Sequence, residues 1–238
     1  MSLTPQLTYS YRGQLAGSTS ILLNATRSEI IRGLASYVPG VDLIYEENWL
    51  SGDDTTIAND YAVTAASTGT ATISTNPGYL TVVTAATLND TMLFSSNYKD
   101  AFRAKMPRIA SEITLSQLTD TLFEFRFYDD SDEYVALRYD SSVSANWYLS
   151  TYDGTTNTSV DTGVAATTSA VQLVIEVETD GTAHVFIDGD EVDVAYTSSG
   201  VAMSKMTADG HYRQFYLKAL AAAAKTVKVR DLLTTMVR

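Results

Sequence analysis

The sequence predicts an all-β protein: a two-sheet antiparallel jelly-roll sandwich preceded by an N-terminal arm with one short helix. Three observations lead there. Apolar residues recur with period two along most of the chain, Asp-Gly pairs separate the alternating runs, and there are only four prolines. Alternation marks half-buried antiparallel strands, and Asp-Gly between two such runs marks a hairpin. Many short strands with little helix indicate a sandwich or jelly roll. The chain has 238 residues, 45% hydrophobic and 10% aromatic, which is enough to bury a core without a disulfide or metal staple.

The elements follow in order. Gly13, Gly17, Ser18 and Ser20 read as an irregular arm. Ser28 is an N-cap for a helix over 28–37, with Ile30, Ile31, Leu34 and Tyr37 along one stripe, and Pro39-Gly40 stops it. A boundary near residue 42 separates the arm (1–42) from the sandwich (43–238). Short Thr-rich strands are expected at 61–63, 70–73 and 79–83, then at 92–94, 102–106 and 113–115. In Leu122–Tyr128 the three phenylalanines face one way, with Glu124 and Arg126 opposite. Val135, Leu137 and Tyr139 alternate next, followed by a strand over 146–152 that closes at Asp153-Gly154. Val171–Val177, Ala183–Ile187 and a run through Val192, Val194 and Tyr196 complete a meander of five or six strands over 121–196. Strands at 214–219 and 225–230 end the domain. The alanine run 221–224 between them is too short for a helix of its own.

Charge is unevenly placed. The formal net charge is −12, yet residues 201–238 carry seven basic side chains against Asp209 and Asp231. The first 38 residues are also net positive, through Arg12, Arg27 and Arg32 against Glu29. An acidic body without a Lys/Arg cluster argues against nucleic acid as a partner. Lys228 and Arg230 are expected to oppose acidic residues on a neighbouring strand. No apolar run reaches the roughly 20 residues of a membrane span, so no membrane partner is expected. Met1 to Ser10 lacks the charged start and apolar stretch of a secretory leader. The absence of cysteine excludes thiol catalysis and Cys-based zinc sites.

Several short segments, in this order, carry a resemblance. They are Tyr45-Glu46-Glu47-Asn48-Trp49, Gly78-Tyr79-Leu80, the Phe-rich strand, Trp147-Tyr148-Leu149, Leu173–Val177 and Val185-Phe186-Ile187-Asp188-Gly189. Together they resemble the concanavalin A-like lectin/glucanase superfamily, of the kind also found in phage virion accessory proteins. The resemblance implies two packed antiparallel sheets, one of them concave. It leaves function open, because this fold hosts lectins, glycanases and passive structural modules.

Candidate chemistry is sparse. Glu176, Glu178 and Asp180 fall at i, i+2 and i+4, which would put them on one strand face. The laminarinase-like branch of the superfamily carries its acids as Glu-x-Asp-x-Glu. Here the middle acid is Glu178 and Asp180 falls in a turn, so a solvated strand end is expected and no catalytic residue is assigned. Asp129, Asp130, Asp132 and Glu133, and likewise Asp188, Asp190, Glu191 and Asp193, could offer oxygens to calcium. Neither group has calcium-loop spacing, and exposed hairpin tips explain both, so no metal and no cofactor are expected. His184 and His211 stand apart as surface histidines, the latter in a turn. Tyr148 and Tyr152 share the strand face opposite Trp147, and with Asp153 they form the candidate carbohydrate contact.

Two functions are compatible with the sequence. The first is a non-enzymatic virion structural protein, a capsid decoration (cement) or fibre protein made in the host cytoplasm and carried on the particle. It would self-associate, for example as a trimer, and dock on a capsid or tail protein through Arg12, Arg27, Ile30, Ile31, Arg32, Leu34 and Tyr37. The second is a carbohydrate-binding lectin-like module or glycanase-related domain whose partner is a glycan.

Overall fold

A computed structural model describes residues 7–9, 15–17, 41–47, 61–74, 78–99, 101–129, 132–193 and 203–237. The expected arm helix and all seven arm residues named above lie outside this set. Within the expected irregular arm, β1 (Leu7–Tyr9) pairs antiparallel with β2 (Leu15–Gly17), so part of the arm is a small hairpin.

The strands continue with β3 (Val41–Glu47), β4 (Tyr61–Ala65), β5 (Thr70–Ser74), β6 (Tyr79–Val83), β7 (Thr91–Ser96) and β8 (Ala101–Phe102). Next come β9 (Arg108–Leu115), β10 (Thr121–Tyr128), β11 (Tyr134–Asp140), β12 (Asn146–Tyr152) and β13 (Asn157–Ala165). The last are β14 (Val171–Val177), β15 (Ala183–Ile187), β16 (Asp190–Glu191), β17 (Gly210–Ala219) and β18 (Thr226–Val237). A front sheet has the order β13-β12-β11-β10-β17-β7-β4, with β8 added to β17. A back sheet has the order β16-β15-β14-β9-β18-β6-β5, with β3 on the far half of β18. All these pairings are antiparallel. The described residues contain one 3₁₀ turn, Arg103–Lys105, and no α-helix. This is the two-sheet antiparallel sandwich that the period-two pattern predicts.

The core lies between the sheets. Phe123, Phe125, Phe127, Leu137 and Trp147 from the front meet Ile113, Leu173, Ile175, Val185 and Val229 from the back in one buried cluster. Phe125 stacks on Phe215 with centroids 5.3 Å apart, and Phe123 meets Trp147 edge-on at 6.2 Å. Burying each such side chain contributes about 1.5–3 kcal/mol. The Asp188-Gly189 turn is the expected tight hairpin, with φ of 50° and 93°, the doubly left-handed geometry that joins twisted strands.

Several expectations are corrected. The meander is split: β10 to β13 run consecutively in the front sheet, and the chain then crosses to the back sheet for β14 to β16. Alternation reports that a strand has a buried face, not which sheet it joins. Strand β13, rich in Thr, Ser and Asn, carries no apolar alternation, because it is an edge strand on which only Val160 is buried. The strand expected over 102–106 reduces to β8 plus the 3₁₀ turn. The expected strand through Val192 is only the two-residue β16 within the described residues. His211 is not in a turn. It is the second residue of β17 and fully buried. Arg230 does reach an acid, Glu112 at 3.5 Å, whereas Lys228 lies over the Tyr79 ring at 5.6 Å.

Candidate functional site

Cross-strand register aligns the outward residues of the front sheet into rows. One row reads Asp161, Tyr148, Arg138, Glu124, Tyr216, Leu93. The next reads Ser159, Ser150, Ala136, Arg126, Gln214, Ser95. A third reads Asn157, Tyr152, Tyr134, Tyr128, Tyr212. With strands about 4.8 Å apart, the four tyrosines of the third row span about 14 Å. The middle row is low at Ser159, Ser150 and Ala136, so the rings of the flanking rows rise above it. The predicted Tyr148 and Tyr152 therefore belong to a larger aromatic face, and Tyr152 packs against Tyr134 with centroids 5.8 Å apart.

The charges on this face are tied to one another. Arg126 donates from Nη1 to Glu124 Oε2 at 2.8 Å and from Nε to Gln214 Oε1 at 2.9 Å. Its guanidinium lies 4.7 Å from the Tyr128 ring and 5.5 Å from that of Tyr216. Arg138 bridges Glu124 at 3.7 Å and Asp140 at 2.6 Å. Burial pushes the Asp140 carboxyl up, but hydrogen bonds from Ser142 and Arg138 outweigh it and hold it below the usual range. The hydrogen bond from Tyr128 to Asp132, at 2.5 Å, together with burial, raises the Tyr128 hydroxyl to about 12. Burial also raises Tyr216. These hydroxyls stay protonated and able to donate.

Asp153 is committed to its own turn. Its Oδ1 accepts from the backbone N–H groups of Thr155 and Thr156 at 2.9 and 2.7 Å, which shapes the β12–β13 turn. Its role is to hold the loop beside Tyr152. The wider face, with Glu124, Arg126, Arg138, Gln214 and Tyr216, has no local signature in the sequence. Each residue has outward parity on its own strand, but only the pairing of β10 with β11 and β17 brings them together.

The acidic triplet is split: Glu176 and Glu178 stay beside His184, and Asp180 turns away to Lys205. Strand β14 ends at Val177, so the alternation stops before Glu178 and Asp180. Glu178 turns to His184, at 3.1 Å, and Asp180 pairs with Lys205 and accepts from Thr182 N. Glu176 is paired in register with Arg108 and His184, and burial pushes its carboxyl up. The triplet belongs to the back sheet, on the far side of the core from the tyrosines. Of the first acidic group, Asp129 and Glu133 are buried rather than at an exposed tip. Glu133 accepts from Thr207 and Ala208 N–H groups at 2.6 and 2.9 Å, which pins the segment leading into β17.

No known family's sequence profile matches the chain, and no curated protein sequence matches it. Solved structures do match. A protein of unknown function from Shewanella oneidensis MR-1 aligns at TM-score 0.57 and 11% identity, over 89% of this chain and 94% of that one. The Bacillus licheniformis β-glucanase aligns at TM-score 0.59 and 6% identity, over 82% and 97%. An immunostimulatory antigen and pseudo β-1,3-glucanase of Mycobacterium tuberculosis aligns at TM-score 0.61 and 8% identity, over 82% and 99%. At such identities the likeness shows the fold alone. That fold is the concanavalin A-like jelly-roll sandwich, the architecture of glucanases.

Proposed function

We propose that this chain is a glycan-binding module of the glucanase fold, which lays a neutral polysaccharide across the outward face of the front sheet without cleaving it. The observation that carries the reading is the tyrosine row beside a charge-balanced Glu124–Arg126–Arg138–Asp140 network. Flat rings offer apolar faces to sugar C–H groups and hydroxyl rims to sugar oxygens. A face whose arginines are already matched by carboxylates suits a neutral chain. The names of the neighbours, a β-glucanase and a pseudo β-1,3-glucanase, support β-glucans as the first ligands to try.

The same network argues against hydrolysis. A retaining glycosidase uses two carboxyls about 5–5.5 Å apart, one kept protonated by its surroundings. Glu124 and Asp140 each have an arginine in contact, and hydrogen bonds from Ser142 and Arg138 hold the Asp140 carboxyl below the usual range, the opposite of a carboxyl kept protonated. The virion expectation drew on the arm and on composition, and the glucanase-fold likeness favours its glycan-binding alternative.

The test is calorimetric titration with β-1,3- and mixed-linkage β-glucan oligosaccharides, beside a reducing-sugar assay. Tyr148→Ala and Tyr152→Ala should each weaken binding by about tenfold, taking stacking at about 1–1.5 kcal/mol per ring. No reducing ends should accumulate. Sugar release that Glu124→Gln or Glu176→Gln abolishes would overturn the non-catalytic reading. Binding unaffected by both tyrosine variants would overturn the site.

A further inference from the structure

Two residues before Tyr212 on β17 comes Gly210, and its cross-strand partner in β8 is Phe102. Ala101 is fully buried in the core, so Phe102 takes the opposite, outward face of the front sheet, diagonal to Tyr212. Its ring carbon Cε1 is 3.6 Å from the point that a Cβ on Gly210 would occupy, so the ring leans over the glycine. Lys99 joins the two rings. Its Cβ and Cδ lie 3.4 and 3.6 Å from that same point, and its Nζ lies 5.5 Å from the Tyr212 ring centroid. Asp129 Oδ2 balances its charge at 3.9 Å. Phe102 is 41% exposed, yet its support is fixed. Arg103 N donates to Asp209 O at 2.7 Å and Ala104 N to Asp209 Oδ1 at 3.1 Å. Ser96 Oγ donates to the Tyr98 carbonyl at 2.9 Å in the turn that carries Lys99. A large apolar ring held in water on a rigid strand gains from being covered, and it loses little entropy when a ligand covers it.

Aromatic positions therefore follow one another on β12, β11, β10, β17 and β8, at Tyr152, Tyr134, Tyr128, Tyr212 and Phe102. Steps of about 4.8 Å between these strands make a track of about 19 Å. One sugar of an extended β-linked chain advances by about one strand spacing, so each ring position meets roughly one sugar. Resting on the glycan-binding reading, we propose that Phe102 and Lys99 form an end subsite of that face, which sets its ligand as a linear glycan of about five sugars laid across the strands. Phe102 supplies an apolar ring face to the last sugar, and the Lys99 ammonium brings N–H donors beside it for the sugar oxygens. The loop between β7 and β8 thus becomes a determinant of ligand length.

The experiment is calorimetric titration of the full chain with mixed-linkage β-glucan oligosaccharides, from trisaccharide to hexasaccharide. Affinity should climb from trisaccharide to pentasaccharide and level off at the hexasaccharide. Phe102→Ala and Phe102→Leu should each weaken the pentasaccharide about tenfold, the loss of one stacking ring, and leave the trisaccharide unchanged. Phe102→Tyr, which keeps the ring, should bind as the native chain does. Phe102→Leu keeps the apolar bulk, so it answers the question even if Phe102→Ala lowers Tm. Val143→Ala, at an exposed apolar residue in the β11–β12 turn, should alter neither affinity. Pentasaccharide binding that Phe102→Leu leaves intact while Tyr152→Ala weakens it would overturn the end subsite and leave the glycan reading standing. Equal weakening of trisaccharide and pentasaccharide by Phe102→Leu would overturn the length dependence. Failure of the native chain to bind any of these oligosaccharides would overturn the glycan reading itself, and the subsite with it.

Discussion

Arg126 shows how one residue organises the candidate binding face. Its side chain is only 15% exposed and satisfies Glu124 and Gln214 while lying between two tyrosine rings. Arg126→Ala leaves the nearly buried Glu124 carboxylate with the longer contact to Arg138 alone. The expected cost is about 1–3 kcal/mol in urea unfolding, larger than for loss of the exposed Lys205–Asp180 pair, which should stay within about 1 kcal/mol. His211 makes the second prediction at this scale. Burial holds this imidazole below its ordinary value, against the pull of Asp129 and Glu133. A basic group with a depressed folded pKa contributes its stability above the unfolded value, about 6.5, and loses it as pH falls. Unfolding free energy should therefore drop between pH 7 and pH 5, and His211→Gln should flatten that slope. An unchanged slope in the variant would assign the acid sensitivity elsewhere. Glu133, held below the usual carboxyl range by Thr207 and Ala208 despite its burial, acts in the same sense at lower pH. From sequence both histidines read as surface residues, because isolated polar residues give no periodic signal of burial.

Among the elements, the β14–β15 hairpin joins local chemistry to distant packing. Gly181 adopts φ of 85°, and a Cβ there would meet the Met206 carbonyl oxygen at 2.1 Å. The glycine is required twice, for its backbone angle and for the close approach of the segment before β17, whose Met206 N–H donates to Gly181 O at 3.2 Å. Gly181→Ala should cost about 2 kcal/mol and lower Tm by about 4–8 °C. Gly189, with open space around its Cβ position, should lose less on the same change. Asp-Gly marked both turns correctly as hairpins. Only the fold distinguishes the crowded one from the open one.

For the whole molecule, the two sheets share one core, so they should unfold together. Phe125 is fully buried at its centre, on the strand that also presents Glu124 and Arg126 outward. Phe125→Ala should cost about 3–5 kcal/mol and shift the near-UV and far-UV transitions equally. Separate transitions for the two signals would mean that the sheets are energetically independent. The same substitution should weaken glycan binding only as far as it unfolds the chain, since the tyrosine rows sit on the other face of the sheet.

What the amino-acid order determined alone is local: the identity of the strands with clear apolar alternation, the inward parity of Phe123, Phe125, Phe127 and Trp147, the outward parity of Tyr148 and Tyr152, and the Asp-Gly hairpins. Each follows from contacts between residues near in sequence, where side-chain alternation and turn geometry leave one solution. Which sheet each strand joins, and in what register, was decided only in three dimensions. Glu124 meets Gln214-linked Arg126 on its own strand but Arg138 and Tyr216 on others. His184 likewise finds Asp193 through the pairing of β15 with β16. Pairing register depends on burying a common core, and a strand that fits either sheet carries no local mark of the one it takes.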